Sequence, residues 1–388
     1  MIVHCRRLAA IILFAAICSI SGFAQSSLSN LLPKDARSMG LGGSSLVFAE
    51  GYGALWGNPA GLANKKSLTL IDSSTWAYIK PTPLNIKNIL AILNQQMSHD
   101  ETASTLDGFI AENGFGGGEY LGFGWIEDGM GLGITSITDA VVSGSALSDS
   151  AVDIRSQTNA VLGMAWPIHF GPVEFDIGAN VRGYYRMETA SGGWAFDPLA
   201  EALMTNSDIY SLMYPNKVKG GFGFSIDAGA TVSYGPFALG FMVRDLADKF
   251  AMKDSSIEEI ANSYMVPSGG LDYYAVSPVY TAGLSLKLNQ GSSFSTTFFV
   301  EADDPFSLVS LLANDIEAIP SKLHIGAEIG LLKFLALRVG YNQGYLSFGT
   351  GLDVLFLEVN AAVFTEPVSV AGETVGRTGI MVQAAVRF

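Results

Sequence analysis

Between residue 67 and the end of the chain, apolar and small-or-polar side chains alternate in segment after segment. In 172–186, Val173, Phe175, Ile177, Ala179 and Val181 hold one phase, and Glu174, Asp176, Gly178, Asn180 and Arg182 the other. In 222–234, Phe222, Phe224, Ile226 and Ala228 alternate with Gly223, Ser225, Asp227 and Gly229, and 322–331 reads the same way. The last segment, 378–388, sets Ile380, Val382, Ala384, Val386 and Phe388 against Met381, Gln383, Ala385 and Arg387. Successive side chains of a strand point to opposite faces, so each segment is predicted to be a strand with one apolar and one small-or-polar face. About fourteen such segments occur, near 67–79, 119–127, 129–138, 158–168, 172–187, 220–234, 236–247, 279–289, 292–302, 322–331, 333–342, 345–353, 355–365 and 378–388. The fold class is therefore all-β.

Composition narrows the solvent. Charged residues are 15% of the chain against a usual ~25%, too few for the surface of an ordinary soluble sheet protein. The hydrophobic fraction of 49% rules out a disordered chain. Past residue 25, no run approaches the ~20 apolar residues that a spanning helix needs. A net charge of −14 without any Lys/Arg cluster argues against a nucleic-acid partner.

Loop lengths sort by parity. Asp128-Gly129, Phe170-Gly171-Pro172, Gly235-Pro236 and Asn289-Gln290-Gly291-Ser292 are short turns. The intervening connections 80–118, 139–157, 188–219, 248–278, 303–321 and 366–377 are predicted to be long loops, with 343–344 short. Short turns at one end and long loops at the other are expected of a transmembrane antiparallel β-barrel in an outer membrane, with the long loops extracellular. Lipid offers no hydrogen-bond partners, so such a sheet must close and leave no edge. Inward-phase glycines such as Gly122, Gly124, Gly131 and Gly133 either leave room for something in the lumen or ease twist and curvature.

Met1 to Ala24 reads as a signal peptide: Arg6 and Arg7 precede an apolar stretch, Leu8 to Ile17, and Gly22-Phe23-Ala24 forms a small-x-small cleavage site. Both cysteines, Cys5 and Cys18, fall within it, so the mature chain is expected to have no disulfide and no thiolate metal site. The three domains expected are thus 1–24, a segment 25–66 of different character, and the barrel 67–388.

The segment 25–66 contains Ala36-Arg37-Ser38-Met39-Gly40-Leu41-Gly42-Gly43 and then Trp56-Gly57-Asn58-Pro59-Ala60-Gly61-Leu62. Here the chain resembles the FadL-type outer-membrane transporters of hydrophobic compounds, and also the PorV-type barrels of the same superfamily. The resemblance implies a fourteen-stranded barrel closed by an N-terminal hatch, with Gly40, Gly42, Gly43, Asn58, Pro59, Ala60 and Gly61 as hatch residues. It further implies either passive transport of long-chain fatty acids or similar hydrophobic small molecules, with lateral release, or anchoring and shuttling of secreted proteins. Val386-Arg387-Phe388 resembles the aromatic C-terminal signature of barrels inserted by the barrel-assembly machinery, so that machinery and outer-membrane lipid are expected partners.

FadL-type barrels release cargo through a kink in the third strand. In that strand the outward phase Met130, Leu132, Ile134 resumes at Ile137, so Thr135-Ser136 is a candidate bulge and lateral gate, or the strand simply frays. Inward-phase Arg182, Arg186, Arg244 and Arg338 are candidate contacts for an anionic head group, or pair with lumen acids such as Asp227, Glu301, Glu328 and Glu358. Helical spacing in 84–98, 198–213 and 257–260 predicts short loop helices forming a greasy groove or a lid. The histidines His99, His169 and His324 sit at no metal-ligand spacing, and no nucleophile or phosphate motif occurs, so the chain is expected to be no enzyme and to use neither metal nor cofactor.

Overall fold

A computed structural model describes residues 27–388 apart from 29, 45, 64, 113, 191, 206, 263–269, 290–292 and 371–372. The expected signal peptide, 1–24, lies outside the described residues.

All fourteen predicted segments are strands: β1 (Ser67–Tyr78), β2 (Phe115–Glu127), β3 (Met130–Ser143), β4 (Ala151–Phe170), β5 (Val173–Thr189), β6 (Lys217–Tyr234), β7 (Phe237–Ser256), β8 (Val279–Asn289), β9 (Phe294–Asp303), β10 (Leu323–Leu331), β11 (Leu335–Asn342), β12 (Tyr345–Val354), β13 (Leu357–Val370) and β14 (Glu373–Arg387). Each pairs antiparallel with the next. β14 returns to β1, from Gly379 opposite Tyr78 to Arg387 opposite Thr69, and closes the barrel.

The outer face is the apolar phase. Leu121, Phe123, Trp125, Leu132, Ile134, Leu162, Val181, Leu239, Val339 and Val382 are all exposed, a belt that only hydrocarbon can cover without cost. The inner face carries the polar phase, including Gln157, Asn159, Asn180, Arg182, Asp227, Glu301 and Gln383, all buried. Among the described residues no helix is long and apolar enough to cross a membrane; the strands do the crossing.

Two expected loops are strand instead. In the 366–377 connection, 366–370 pair with 373–377, from Glu366 opposite Arg377 to Val370 opposite Glu373. Of 139–157 only 144–150 is loop. The strands here outrun the lipid belt: twenty residues of β4 at ~3.3 Å each span far more than a ~25 Å apolar band, even when tilted. Above the belt both faces meet water or protein, so alternation lapses while pairing continues.

The remaining long connections carry helices, four of them where helical spacing placed them, α2 (Pro83–Leu93), α4 (Asp197–Thr205), α5 (Ile209–Met213) and α6 (Ile257–Asn262), and two that the spacing did not single out, α3 (His99–Ala111) and α7 (Pro305–Asn314). Leu106, Phe109, Ile110, Phe196, Leu199 and Ile260 bury against Ile79, Val142, Val152 and Val218 at the strand ends. Each fully buried side chain of this kind contributes about 1.5–3 kcal/mol, and α2–α6 pack together over the strand ends, whereas α7 has no residue in this cluster.

The third strand is regular. β3 pairs in unbroken register with β2 from Met130 to Val142 and with β4 from Met130 to Ser143, so Thr135-Ser136 is no bulge. Thr135 faces inward and its hydroxyl accepts a hydrogen bond from Asn159 (3.3 Å). Ile137 also faces inward, fully buried with Leu31, Trp76 and Tyr120. Its lumen neighbours there include these apolar side chains, so an isoleucine points in without any change of phase.

The wall is irregular elsewhere. Between β6 and β7 the register slips twice, with Phe224 opposite Lys249, Ile226 opposite Leu246 and Ala228 opposite Val243. On its other side, β7 pairs with β8 only up to Arg244, opposite Val279. It resumes at Lys249, opposite Ala275 of the short strand Asp272–Val276. Pro278 lies in the interruption and has no N–H to give the ladder. Within the break Asp245 takes a positive φ of 62°. A further irregularity lies at the closing seam, around Leu70-Ile71 of β1.

Candidate functional site: a filled lumen

Residues 30–63 lie against the inward faces of the strands. Asp35 caps a short helix, α1 (Ala36–Gly40), by accepting from the Arg37 and Ser38 amides. Ala36 N–H donates to Gln383 of β14 (3.0 Å), and the Arg37 guanidinium binds Glu328 of β10 through two bonds of 2.8 and 2.7 Å. Burial works against the Arg37 charge, but Glu328, with Asp35 and Glu50, more than offsets it and raises its pKa above the ordinary value. Lys34 bonds Glu366 (2.5 Å) and the Tyr78 hydroxyl (2.8 Å), with its ammonium over the rings of Trp76, Tyr78 and Phe364. Farther along, Ser44 Oγ (2.6 Å) and the Val47 amide (2.8 Å) both donate to Glu301. Burial raises the Glu50 pKa, but hydrogen bonding and charge from Lys65 outweigh it and leave the carboxyl below its usual range.

The second half of the segment is two 3₁₀ turns, Gly51–Leu55 and Pro59–Leu62. Asn58 caps the second: its Oδ1 accepts from the Ala60 amide, its Nδ2 donates to Thr231 of β6, and Pro59 takes the first helical position. Asn180 Nδ2 donates to the Ala54 and Leu55 carbonyls (3.2 and 3.1 Å).

Inward glycines make this fit possible. A β-carbon at Gly178 would stand 2.4 Å from the Pro59 carbonyl, and one at Gly229 1.9 Å from Asn58 Oδ1. One at Gly122 would meet the Tyr52 hydroxyl at 2.0 Å, and Gly131 and Gly163 leave room for Leu55 and Leu62. Within the segment, Gly40 and Gly42 approach the backbones of Gly349 and Tyr341, Gly42 with a φ of 78°. Gly43 also has positive φ, and Gly61 sits under the Ala49 carbonyl. Of the two readings of the lumen glycines, room for a filler is the one these contacts support.

The four arginines divide. Arg182 is buried and holds both Asp227 (2.7 and 2.9 Å) and Asp245 (2.5 Å). Arg186 pairs with Glu188 (2.7 Å) and lies over the Phe250 ring. Arg338 bonds Glu328 and Asn360, each at 2.7 Å. These three are engaged by protein groups and are not free for a head group. Arg244, at the edge of the wall break, makes no ion pair or hydrogen bond among the described residues, and its Nε is buried without a partner. It lines a cavity of about 280 Å³ together with Met39, Phe48, Tyr52, Trp56 and Tyr120. A second cavity, about 520 Å³, opens below the segment toward the short turns beside Asn58, Lys65, Asp176, Thr231 and Lys287.

Sequence reasoning misses the tie between Asn30 and Asp245 (Nδ2 to Oδ1, 2.7 Å), which fastens the segment to the break in β7. The signal available is Asp245, an acid falling on the apolar phase after Phe241 and Val243. His324 sits between the Gly42 carbonyl (2.7 Å) and Asp303 (3.1 Å), one more contact between wall and segment. No group of three or more potential metal ligands exists among the described residues.

No family model matches the chain, and no curated protein matches it. Solved structures do. It is similar to the toluene transporter TodX of Pseudomonas putida, at 11% identity and a TM-score of 0.44 over 92% of this chain and 98% of that one. It is similar to the toluene transporter TbuX of Ralstonia pickettii at 12% identity and 0.46, covering 92% and 99%. A FadL homologue of Pseudomonas aeruginosa stands at 12% and 0.40, covering 95% and 99%. These solved neighbours are FadL-type barrels.

Proposed function

We propose that this protein is an outer-membrane channel for the passive passage of hydrophobic small molecules, held closed by residues 30–63 acting as a hatch. The observation that carries the reading is the reciprocal fit of that segment to a glycine-lined lumen, together with its tie through Asn30 to the break in the wall at Asp245. A segment that only stiffened the barrel would not need a tie at the place where strand pairing is interrupted.

In this reading a hydrophobic compound, such as a long-chain fatty acid, first partitions into the apolar loop cluster around Phe109, Phe196 and Leu199. Displacement of the hatch then joins the mouth to the cavity at Arg244, where a carboxylate would find a guanidinium whose Nε has no hydrogen-bond partner among the described residues. Lateral release would use the unpaired stretch between β7 and β8 rather than β3, whose ladder is complete. Export by the 1–24 leader and insertion by the barrel-assembly machinery complete the proposal.

The test is uptake of radiolabelled hydrophobic compounds by a deletion strain carrying the wild type or a staple of the hatch to the wall, Asn58→Cys with Thr231→Cys. Uptake that the oxidised staple blocks and reductant restores supports the channel. Wild-type uptake no greater than that of the empty strain, with no lipid co-purifying, would sink it. A PorV-like role in holding secreted proteins on the closed loop platform would then be the better account.

A further inference from the structure

The loop after β9 carries a helix that packs on the outside of the barrel. α7 begins at Pro305, directly after Asp304, whose amide donates to the Tyr280 carbonyl of β8 (2.8 Å). Its first aromatic, Phe306, lies edge-on against Phe241 of β7 (6.3 Å between centroids) and Tyr280 (5.5 Å). Phe241 belongs to the exposed apolar belt, so the helix continues that surface rather than the helix cluster over the strand ends. None of its residues is buried. Phe306, Val309, Leu312 and, just beyond its end, Ile316 are 64%, 74%, 64% and 67% exposed, at spacings that put them along one stripe.

The side-chain donors on the polar side of the helix are engaged locally. Ser307 Oγ donates to the Asp304 carbonyl, Ser310 Oγ to Ser307, and Asn314 Nδ2 to Ser310, so these groups are satisfied within the helix itself. Residues 305–314 contain no charge at all, while Asp303, Asp304, Asp315 and Glu317 flank them. Acidic flanks and the lack of any lysine or arginine do not suit anionic head groups. An uncharged, internally satisfied helix continuous with a lipid-facing belt suits acyl chains.

We propose that α7 is embedded in the bilayer at the long-loop rim, with Phe306, Val309, Leu312 and Ile316 among the acyl chains of that leaflet. This rests on the barrel's own placement in lipid, which the experiment checks separately. Single cysteines for spin labels are placed at Val309, Leu312 and Ser310, and at Leu239 of the belt, in the full chain with Cys5 and Cys18 changed to Ser, reconstituted in phospholipid nanodiscs. Heat-modifiable mobility verifies that each variant is folded. Labels at 309 and 312 are expected to collide with oxygen several-fold more often than with a water-soluble nickel complex, as at 239, with the ratio lower at 310. Nickel dominating at 309 and 312 while 239 still reports lipid would overturn the proposal and leave the barrel reading intact. Low access to both reagents, with spin–spin broadening that grows with protein per disc, would assign the face to a second copy and overturn it equally. Nickel dominating at 239 would refute the lipid belt itself, and the proposal with it.

Discussion

Asn58 occupies the place that a side chain at Gly229 would take: a β-carbon there would stand 1.9 Å from Asn58 Oδ1. The N-terminal segment and the wall are shaped to one another, and a substitution on the wall alone should loosen the segment. Gly229→Val, facing inward and away from lipid, is expected to leave the barrel assembled. Overpacking of this kind costs about 1–3 kcal/mol, and the adaptable partner is the irregular segment rather than β6, which is laddered on both sides. Single-channel recordings should show more frequent openings than wild type, with Gly183→Val, which meets nothing within 4 Å, as the neutral control. Equal conductance in both variants would separate the segment from pore closure.

The seam where the last strand meets the first is held by charge. Arg387 of β14 pairs with Asp72 of β1 (2.5 Å) and with Glu358, and Asp72 also accepts from Gln383 (2.8 Å) and the Tyr120 hydroxyl. Asp72 is fully buried. Arg387→Met would leave its carboxylate without a countercharge, which costs about 3–5 kcal/mol. The double change Arg387→Met with Asp72→Leu should recover much of that loss. Urea unfolding in detergent, followed by the shift in gel mobility, compares the three.

How far the sequence reveals this molecule depends on what each residue's partner is. Period-two alternation locates all fourteen strands, because within the belt one partner is always lipid, and lipid is read from hydrophobicity alone. At Ile137 the same rule misleads: the partner is Leu31, more than a hundred positions away, and alternation cannot separate an apolar lumen from lipid. Strand ends fail for a related reason, since β13 and β14 go on pairing from Glu366 opposite Arg377 to Val370 opposite Glu373, beyond the alternating stretch. The glycines at 178 and 229 are visible on the inward phase, but that they make room for Pro59 and Asn58 is a long-range fact. Arg182 and Arg244 look alike in sequence, and only the bulge at Asp245 tells them apart.

Outside the membrane, α3 opens with a reciprocal cap. The Ser98 amide and hydroxyl donate to Glu101 (2.9 and 2.8 Å), while the Glu101 amide donates back to Ser98 Oγ (3.3 Å). Those bonds, the backbone one foremost, favour the carboxylate and lower the Glu101 pKa. The sign follows: the contribution is fully present above the unfolded glutamate value of about 4.3 and is lost as pH falls through the lower folded value. Hydrogen exchange at amides 101–105 should therefore quicken on acidification by more than the intrinsic rate explains. In Glu101→Gln that extra acceleration should vanish, and its persistence would assign the effect to another group.

Arg182 and Arg244 provide the sharpest contrast, because they share a lumen and differ in their partners. Arg182 neutralises Asp227 and Asp245 at the wall break, with all three side chains buried. Removing it as Arg182→Met strands two carboxylates, at a cost of about 3–5 kcal/mol or more, and should lower the unfolding midpoint sharply. It should also free the break locally, read as faster exchange at the amides of 244–249. Arg244 has no such debt. Arg244→Met is expected to leave the unfolding midpoint within about 0.5 kcal/mol of wild type, as for a substitution that breaks no ion pair or hydrogen bond. If the cavity it lines receives the charged end of a hydrophobic acid, uptake of a fatty acid should fall in Arg244→Met while uptake of the matching neutral alcohol is unchanged. A parallel loss for both compounds would show that the guanidinium serves the shape of the cavity and not the charge of the cargo.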